Sequence, residues 1–267
     1  MKFVEFTGLV GSGKSTLAAE ASKILRDMGW QPLSPAEATR RGMDRSLLGR
    51  LCRALLPAAA YEQIQQVLYA HVVGRFYQAL FALENPGLVW HIYTSSEYRR
   101  SLPAWHQKTL LRLFFDVAGR RQFLSSRLKP GEVVIFEEGL GHRAINLFAW
   151  HVRRVDTRRV AEYFRRLPDL GIVVLVQTPG IVCAQRAEAR GLPIRLRDKS
   201  PKVFERFMAN SADILAVASR ELSGSRQLLI QVDNQGSLED AAQKLRVRLD
   251  EVSKLDPSET RSIVPAA

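Results

Sequence analysis

The residues best suited to chemistry lie near the start of the chain, in the run Gly8-Leu9-Val10-Gly11-Ser12-Gly13-Lys14-Ser15. The run fits the pattern G-x-x-x-x-G-K-[ST], with an apolar stretch before it and apolar residues at helical spacing after it. Glycines let the backbone curl until successive N–H groups point at phosphate oxygens. Lys14 would then meet the β- and γ-phosphates of ATP, and the Ser15 hydroxyl would meet Mg²⁺. We therefore predict a nucleotide site formed by Gly8, Gly11, Ser12, Gly13, Lys14, Ser15 and Thr16.

A pair of acids, Glu137-Glu138, directly follows the β-branched run at 133–136. Such a run predicts a buried strand of a parallel sheet, and ligands bind at the carboxyl ends of such strands. A carboxylate there can hold a Mg²⁺ water or accept the proton of an attacking hydroxyl. Both glutamates are candidate catalytic residues, and Glu137 is also a candidate metal ligand. The alternative is that the pair only begins the next helix, where acids are favoured.

Four arginines follow the next apolar run, at Arg186, Arg190, Arg195 and Arg197. Arg186 and Arg190 are four residues apart and share one face of the expected helix. Arginines that close over a reacting phosphoryl group neutralise its charge, so this pair is a candidate catalytic pair. A basic helix end is the alternative, since the helix dipole also favours cations there.

Strands alternate with helices along the chain, which predicts an α/β protein with a parallel sheet and helices on both faces. The predicted strands are residues 2–7, 30–34, 132–136, 170–177 and 227–232. The predicted helices are residues 14–28, 44–84 with a break at Pro57, 104–128, 144–167, 180–190, 201–222 and 237–252. Residues 88–104 are predicted to form a loop or a short irregular element. We expect one domain over 1–254, with a helical insertion at about 43–105, and a flexible tail at 255–267.

Composition narrows the functional classes. The 267 residues are 46% hydrophobic and 25% charged, as in ordinary globular proteins. The chain has no apolar run of about 18 residues and no signal-peptide layout, so we expect no membrane span and a cytoplasmic location. Cys52 and Cys183 match no metal or disulfide spacing and are expected to be reduced. The net charge of +12 suits phosphorylated ligands or nucleic acid, or belongs to a solvated basic surface.

The order of these features resembles the thymidylate kinase-like branch of the P-loop nucleotide and nucleoside kinases. Three segments carry the resemblance. Residues 113–121 are similar to the family's helix before the third strand, residues 128–137 to the approach to its acidic motif, and residues 167–191 to a later strand with the lid. The resemblance implies a P-loop NTPase three-layer fold, ATP and Mg²⁺, a nucleotide-like acceptor and a homodimer. It also implies an acidic role for Glu137 and lid roles for Arg186 and Arg190.

The acceptor side departs from that family. The family commonly has an arginine directly after the strand-end acid, where it contacts the acceptor, whereas this chain has Glu138. Arg143 is a candidate substitute. Glu37 lies in the stretch that weakly matches the loop bordering the acceptor, and Arg120 lies in the helix before the third strand. We name Glu37, Arg120 and Arg143 as candidate acceptor-binding residues and expect an acceptor pocket unlike the thymidylate one.

Three functions remain open from the sequence. A kinase acting on a nucleotide, nucleoside or similar small molecule would use Glu137 or Glu138 to orient the acceptor hydroxyl. A kinase acting on a nucleic acid hydroxyl is favoured by the basic charge and predicts steep salt dependence. A nucleotide-dependent switch ATPase would need no acceptor, and its Glu138 would orient water. His142 is the histidine nearest the predicted site, and we interpret it as a structural residue in preference to a ligand contact.

Overall fold

The computed structural model describes residues 2–95, 104–150, 153–192, 194–197, 199–225 and 227–254. Five strands within these ranges form one sheet: β1 (Phe3–Gly8), β2 (Gln31–Leu33), β3 (Glu132–Phe136), β4 (Ile172–Gln177) and β5 (Leu228–Asp233). The strand order is β2-β3-β1-β4-β5, and every pair is parallel. β1 is therefore central, with β3 on one side and β4 on the other.

Helices cover both faces of this sheet. They are α1 (Lys14–Asp27), α2 (Pro35–Arg45), α3 (Leu47–Leu55), α4 (Ala58–Leu68), a π-helix (Tyr69–Val73), α5 (Gly74–Glu84), α6 (Pro86–Thr94), α7 (Ala104–Ser125), α8 (Leu140–Phe148), α9 (Thr157–Arg166), α10 (Gly180–Arg190), α11 (Ile194–Arg197), α12 (Pro201–Ser223) and α13 (Leu238–Lys254). Helices α1 and α13 pack on one face, and α7, α8, α9 and α12 contribute to the core on the other. The α/β class and the three-layer arrangement, with helices on both faces of a parallel sheet, are thus confirmed.

The central strand β1 is buried on both faces. Val4 and Phe6 pack into the core that α1 and α13 close. Because side chains alternate along a strand, Glu5 and Thr7 point to the opposite face, where both are buried. The strand that leads into the glycine-rich turn therefore carries two polar side chains toward the α8 side of the sheet.

The predicted single helix at 144–167 is wrong. The structure has α8, which begins earlier at Leu140 and ends at Phe148, and then a separate α9 that begins at Thr157. Asp156 caps α9, because its carboxylate accepts the backbone N–H groups of Arg158 at 3.0 Å and Arg159 at 3.3 Å. Because the apolar periodicity continues across this break, the sequence predicts one helix where the structure has two.

Two further helices occupy segments that the sequence left unassigned or predicted as loop. Pro35, which follows the second strand, begins α2, and the Ser34 hydroxyl caps it by accepting the N–H of Glu37 at 3.2 Å. Pro86 begins α6, so the predicted irregular element at 88–104 is wrong as far as Thr94. Residues 96–103 of that element and the predicted tail at 255–267 lie outside the described residues.

The helical segment between α2 and α7 buries few of the apolar residues that predicted it. In α3, Leu47 and Leu55 are 68% and 80% exposed, while Gly49 is the residue that packs inward. A Cβ at Gly49 would lie 1.9 Å from the Met43 carbonyl oxygen, so this close contact turns the leucines outward. Of the helices described, none is long and apolar enough to cross a membrane.

A partly buried ion pair, Arg45 with Glu132, joins α2 to β3, and it makes stability depend on pH. Arg45 donates to both carboxylate oxygens of Glu132, at 2.6 and 2.5 Å. This bidentate hydrogen bonding lowers the pKa of Glu132 from 4.5 to about 2. A carboxyl group whose pKa is lower in the folded state stabilises the fold above its unfolded pKa, and this stabilisation is lost as the pH falls through the folded pKa.

We expect Glu132→Gln to lower the free energy of unfolding by about 2 kcal/mol at pH 7, the usual value of hydrogen bonds to a charged partner. The difference between the two proteins should shrink as the pH falls from 4.5 toward 2. Urea titrations at several pH values measure it. The matched control is Glu251→Gln, in the exposed pair with Arg248 on α13, and it should change little. A pH-independent loss in Glu132→Gln would contradict this assignment.

Candidate active site

The glycine-rich turn packs its backbone directly against helix α10 and against the residue that follows β5. Gly11 and Gly13 have φ values of 82° and 86°, a left-handed conformation that suits glycine. A Cβ at Gly11 would lie 2.1 Å from the Cys183 carbonyl oxygen, and one at Gly13 would lie 2.4 Å from Asn234 Nδ2. Both positions therefore need glycine for space as well as for conformation. Helix α10 and the residue after β5 therefore close one side of the turn.

Lys14 lies at the start of α1, and its side chain is folded back over the turn. It is buried, and its Nζ lies 3.4 Å from the Leu9 carbonyl oxygen. Desolvation lowers the pKa of Lys14, while the nearby carboxylates of Glu138 and Glu137 raise it and Arg190 lowers it further. The acids that follow β3 and an arginine of α10 are thus close enough to act on the charge of this ammonium group. A phosphate is the kind of group that such a partly desolvated cation binds.

A small cavity of about 170 Å³ lies at the outer side of the turn. Its lining combines the turn, the first residues of α1 and two arginines of α10: Gly11, Gly13, Lys14, Ser15, Thr16, Arg186 and Arg190. The structure therefore brings Arg186 and Arg190, the two arginines predicted to act as a lid, to the predicted phosphate site. Arg197 is exposed on α11, and the side chain of Arg195 lies outside the described part of the chain.

The two acids after β3 form a turn and precede α8, which begins at Leu140. Strand register pairs Glu5 of β1 with Phe136 of β3, so Glu137 and Glu138 lie beside the last residues of β1. Both carboxylates are exposed, and both raise the pKa of Lys14. The acid pair and the glycine-rich turn therefore share one edge of the sheet.

Glu138 is held by two side chains of α8. Its Oε1 lies 3.5 Å from His142 Nε2, its Oε2 lies 3.5 Å from Arg143 Nη1, and its backbone carbonyl accepts from Arg143 Nη2 at 3.3 Å. Behind it, His142 Nδ1 lies 3.5 Å from the Thr7 hydroxyl. Burial lowers the pKa of His142 well below its usual value, and Lys14 and Arg143 lower it further. A neutral His142 can donate from Nε2 to Glu138 while it accepts from Thr7.

Glu5 ties this acid turn to the central strand. Its buried carboxylate accepts from Arg121 Nη1 at 2.8 Å and from the backbone N–H of Gly141 at 3.2 Å. Burial raises the pKa of Glu5, while Arg121 and the N–H groups at the start of α8 lower it. A Cβ at Gly139 would lie 2.2 Å from the Glu5 carboxyl carbon, so the chain after the acids passes directly over it. Glu5 is not among the residues predicted from the sequence, although an acid inside an apolar strand was the available signal.

A cavity of about 560 Å³ opens beside the acid turn, between α1, the end of β2 and α7. Its charged lining residues are Asp116, Arg120, Glu137, Glu138 and Arg143. Asp116 accepts from the Gln78 side chain at 2.9 Å. Two of the predicted acceptor-binding residues, Arg120 and Arg143, therefore face the same space as the acids. The volume lies in the range of small-molecule sites.

The third predicted acceptor-binding residue lines a neighbouring space instead. Glu37 is on α2, accepts from Arg41 at 2.7 Å and faces a second cavity of about 650 Å³. Arg120 lines both cavities and lies over the Tyr69 ring, 5.9 Å from its centroid. Its Nε is buried with no hydrogen-bond partner among the residues described here. Arg120 thus stands where the two cavities meet, beside the π-helix that begins at Tyr69.

Oxygen donors suited to Mg²⁺ are present at this edge. Ser15 and Glu137 offer a hydroxyl and a carboxylate, and both are exposed. Mg²⁺ commonly uses one or two protein oxygens together with phosphate oxygens. The described residues contain no cluster of three or more His, Cys, Asp or Glu side chains that would hold a metal without a substrate. The donor set therefore fits a metal that arrives with a nucleotide.

No protein-family model matches the chain, and no curated protein matches it. Among solved structures, the deoxyadenosine kinase from M. mycoides with its products bound is similar over 94% of this chain and 99% of its own, with 14% identity and a TM-score of 0.47. The same enzyme with bound dCTP is similar over 93% of this chain and 99% of its own, with 12% identity and a TM-score of 0.44. Shikimate kinase from Acinetobacter baumannii is similar over 96% of this chain and 96% of its own, with 16% identity and a TM-score of 0.36. Similarities this distant assign no function to the chain.

We expect Gly11→Ala to weaken ATP binding at least about 10-fold, because the new methyl group would collide with the Cys183 carbonyl and move the turn. Gly29→Ala is the matched control. Gly29 also has a positive φ, 84°, but nothing lies within 4 Å of its added Cβ. Calorimetric titration with MgATP measures both affinities. Equal ATP binding by the two variants would contradict the packing described for the turn.

Proposed function

We propose that this protein is an ATP-dependent kinase that transfers the γ-phosphoryl group to a hydroxyl of a nucleoside, nucleotide or similar small molecule. One observation carries the proposal. The glycine-rich turn, the α10 arginines and the acid turn meet at one edge of the sheet, next to a cavity of small-molecule size. A site for the donor phosphates and a site for an acceptor are thereby adjacent.

On the donor side, the backbone of the turn and Lys14 bind the phosphates, and Arg186 and Arg190 neutralise charge on the transferring group. Ser15 and Glu137 would hold Mg²⁺, which when bound neutralises further phosphate charge. The turn leaves the Lys14 ammonium group partly desolvated, so the group interacts more strongly with phosphate than it would in water.

On the acceptor side, Glu138 is the group we assign as the general base. His142 and Arg143 contact its carboxylate, which restricts its orientation. The acceptor oxygen forms a bond to the γ-phosphorus, the bond from that phosphorus to the β-γ bridging oxygen breaks, and the hydroxyl proton passes to Glu138. Glu137 is then the carboxylate that would bind Mg²⁺.

The charges of the cavity favour an acceptor that brings little charge of its own. Three acids line it, Asp116, Glu137 and Glu138, against two arginines, Arg120 and Arg143. Arg143 is already directed at Glu138. A second phosphate group would therefore meet more acids than arginines, whereas the hydroxyls of a nucleoside would meet suitable hydrogen-bond acceptors. We place nucleosides and polyols ahead of nucleoside monophosphates as acceptors.

Phosphoryl transfer is tested directly with γ-labelled ATP and Mg²⁺ against a panel of nucleosides, nucleoside monophosphates, sugars and single- and double-stranded DNA. We expect label to appear in a small molecule. Label that enters only DNA, with a rate that falls steeply with salt, would favour the nucleic acid alternative. Release of inorganic phosphate at one rate with every addition would contradict a kinase and favour a switch ATPase. The homodimer and the cytoplasmic location stay predictions.

Variants assign the roles in the same assay. Lys14→Ala should lower the transfer rate by about 10²-fold or more, through lost stabilisation of the phosphates. Glu138→Gln should lower kcat by about 10²- to 10⁴-fold and leave the affinity for ATP nearly unchanged, because it removes a proton acceptor. Glu20→Gln, at an exposed pair with Lys23 on α1, is the control. A full rate in Glu138→Gln would move the base role to Glu137.

A further inference from the structure

We propose that Asn234, together with Thr178, holds the Ser12–Gly13 peptide in the orientation that phosphate binding requires. Asn234 Nδ2 donates to the Ser12 carbonyl oxygen at 2.7 Å, and the Thr178 hydroxyl donates to the same oxygen at 3.1 Å. Asn234 follows β5 and is 6% exposed, and Thr178 follows β4. Two strand ends therefore converge on one carbonyl of the glycine-rich turn.

The geometry of the peptide bond links this contact to the direction of the Gly13 N–H. In a trans peptide the C=O and the following N–H point in opposite directions. Because the Ser12 carbonyl points at Asn234 and Thr178, the Gly13 N–H points away from them, toward the phosphate side of the turn. Gly13 has no side chain to resist rotation of this peptide. A rotated peptide would present a carbonyl oxygen to the phosphates and repel them.

The backbone of Asn234 also contacts Arg186, one of the two arginines of α10. Its N–H donates to the Gln177 carbonyl at 2.8 Å, which fixes the residue on the end of β4. Its carbonyl accepts from Arg186 Nη1 at 3.5 Å. Asn234 therefore joins the peptide that faces the phosphates to one of the two α10 arginines at the same cavity. We assign it as a positioning residue, since it acts through Gly13 and Arg186.

The inference rests on the proposed nucleotide site, so its test measures nucleotide affinity without any acceptor. Calorimetry with MgATP compares wild type, Asn234→Ala, Thr178→Val and the double variant. Asn234→Ala should weaken binding about 10-fold, the upper value for one neutral hydrogen bond. Thr178→Val should weaken it less, because its bond is longer. The double variant should lose more than the product of the two, since each single variant keeps one donor that still holds the carbonyl in part.

The matched control is Gln231→Ala on the exposed side of β5, where Gln231 accepts from the Gln177 side chain at 2.9 Å. Its affinity for MgATP should equal that of wild type. Thermal unfolding of every variant separates positioning from folding. Asn234→Ala with unchanged affinity, whatever its stability, would overturn the inference. A wild-type protein that binds no MgATP would overturn the proposed function itself.

Discussion

The buried ion pair between Glu5 and Arg121 is the contact that fixes the site edge of the sheet. A carboxylate buried in a central strand is costly unless it is paired and hydrogen-bonded. Arg121 pairs with it, lies over the Phe3 ring at 4.1 Å and also donates to the Asp169 carbonyl at 2.6 Å. The N–H of Gly141 completes the carboxylate's hydrogen bonds. One interaction thus ties β1, α7, the start of α8 and the approach to β4 together.

The active-site geometry follows from that fixed arrangement. β1 ends in the glycine-rich turn, and α8 begins directly after the acid turn, so holding α8 against β1 holds Glu138 close to Lys14. On the other side, the ends of β4 and β5 hold the turn through the Ser12 carbonyl. The phosphate side and the acid side are therefore positioned from opposite directions.

Local patterns in the sequence predicted the elements that depend on neighbouring residues and the positions of the candidate site residues along them. The glycine-rich turn, the buried strands and the acids at the end of β3 were found this way. The contacts that support the site could not be predicted from local patterns, because Glu5 and Arg121 are 116 residues apart and Ser12 and Asn234 are 222 residues apart. Apolar periodicity also predicted a helix at α3 but not which of its sides is buried, because that side depends on the close contact at Gly49.

A crystal structure with a non-hydrolysable ATP analogue and Mg²⁺ tests the proposed nucleotide site most directly. We expect Lys14 Nζ to leave the Leu9 carbonyl, where it now lies at 3.4 Å, and to contact the β- and γ-phosphates. The Gly13 N–H should point at a phosphate oxygen, and Ser15 Oγ should lie about 2.1 Å from Mg²⁺. A nucleotide bound elsewhere, with Lys14 still on Leu9 and no phosphate in the turn, would contradict it.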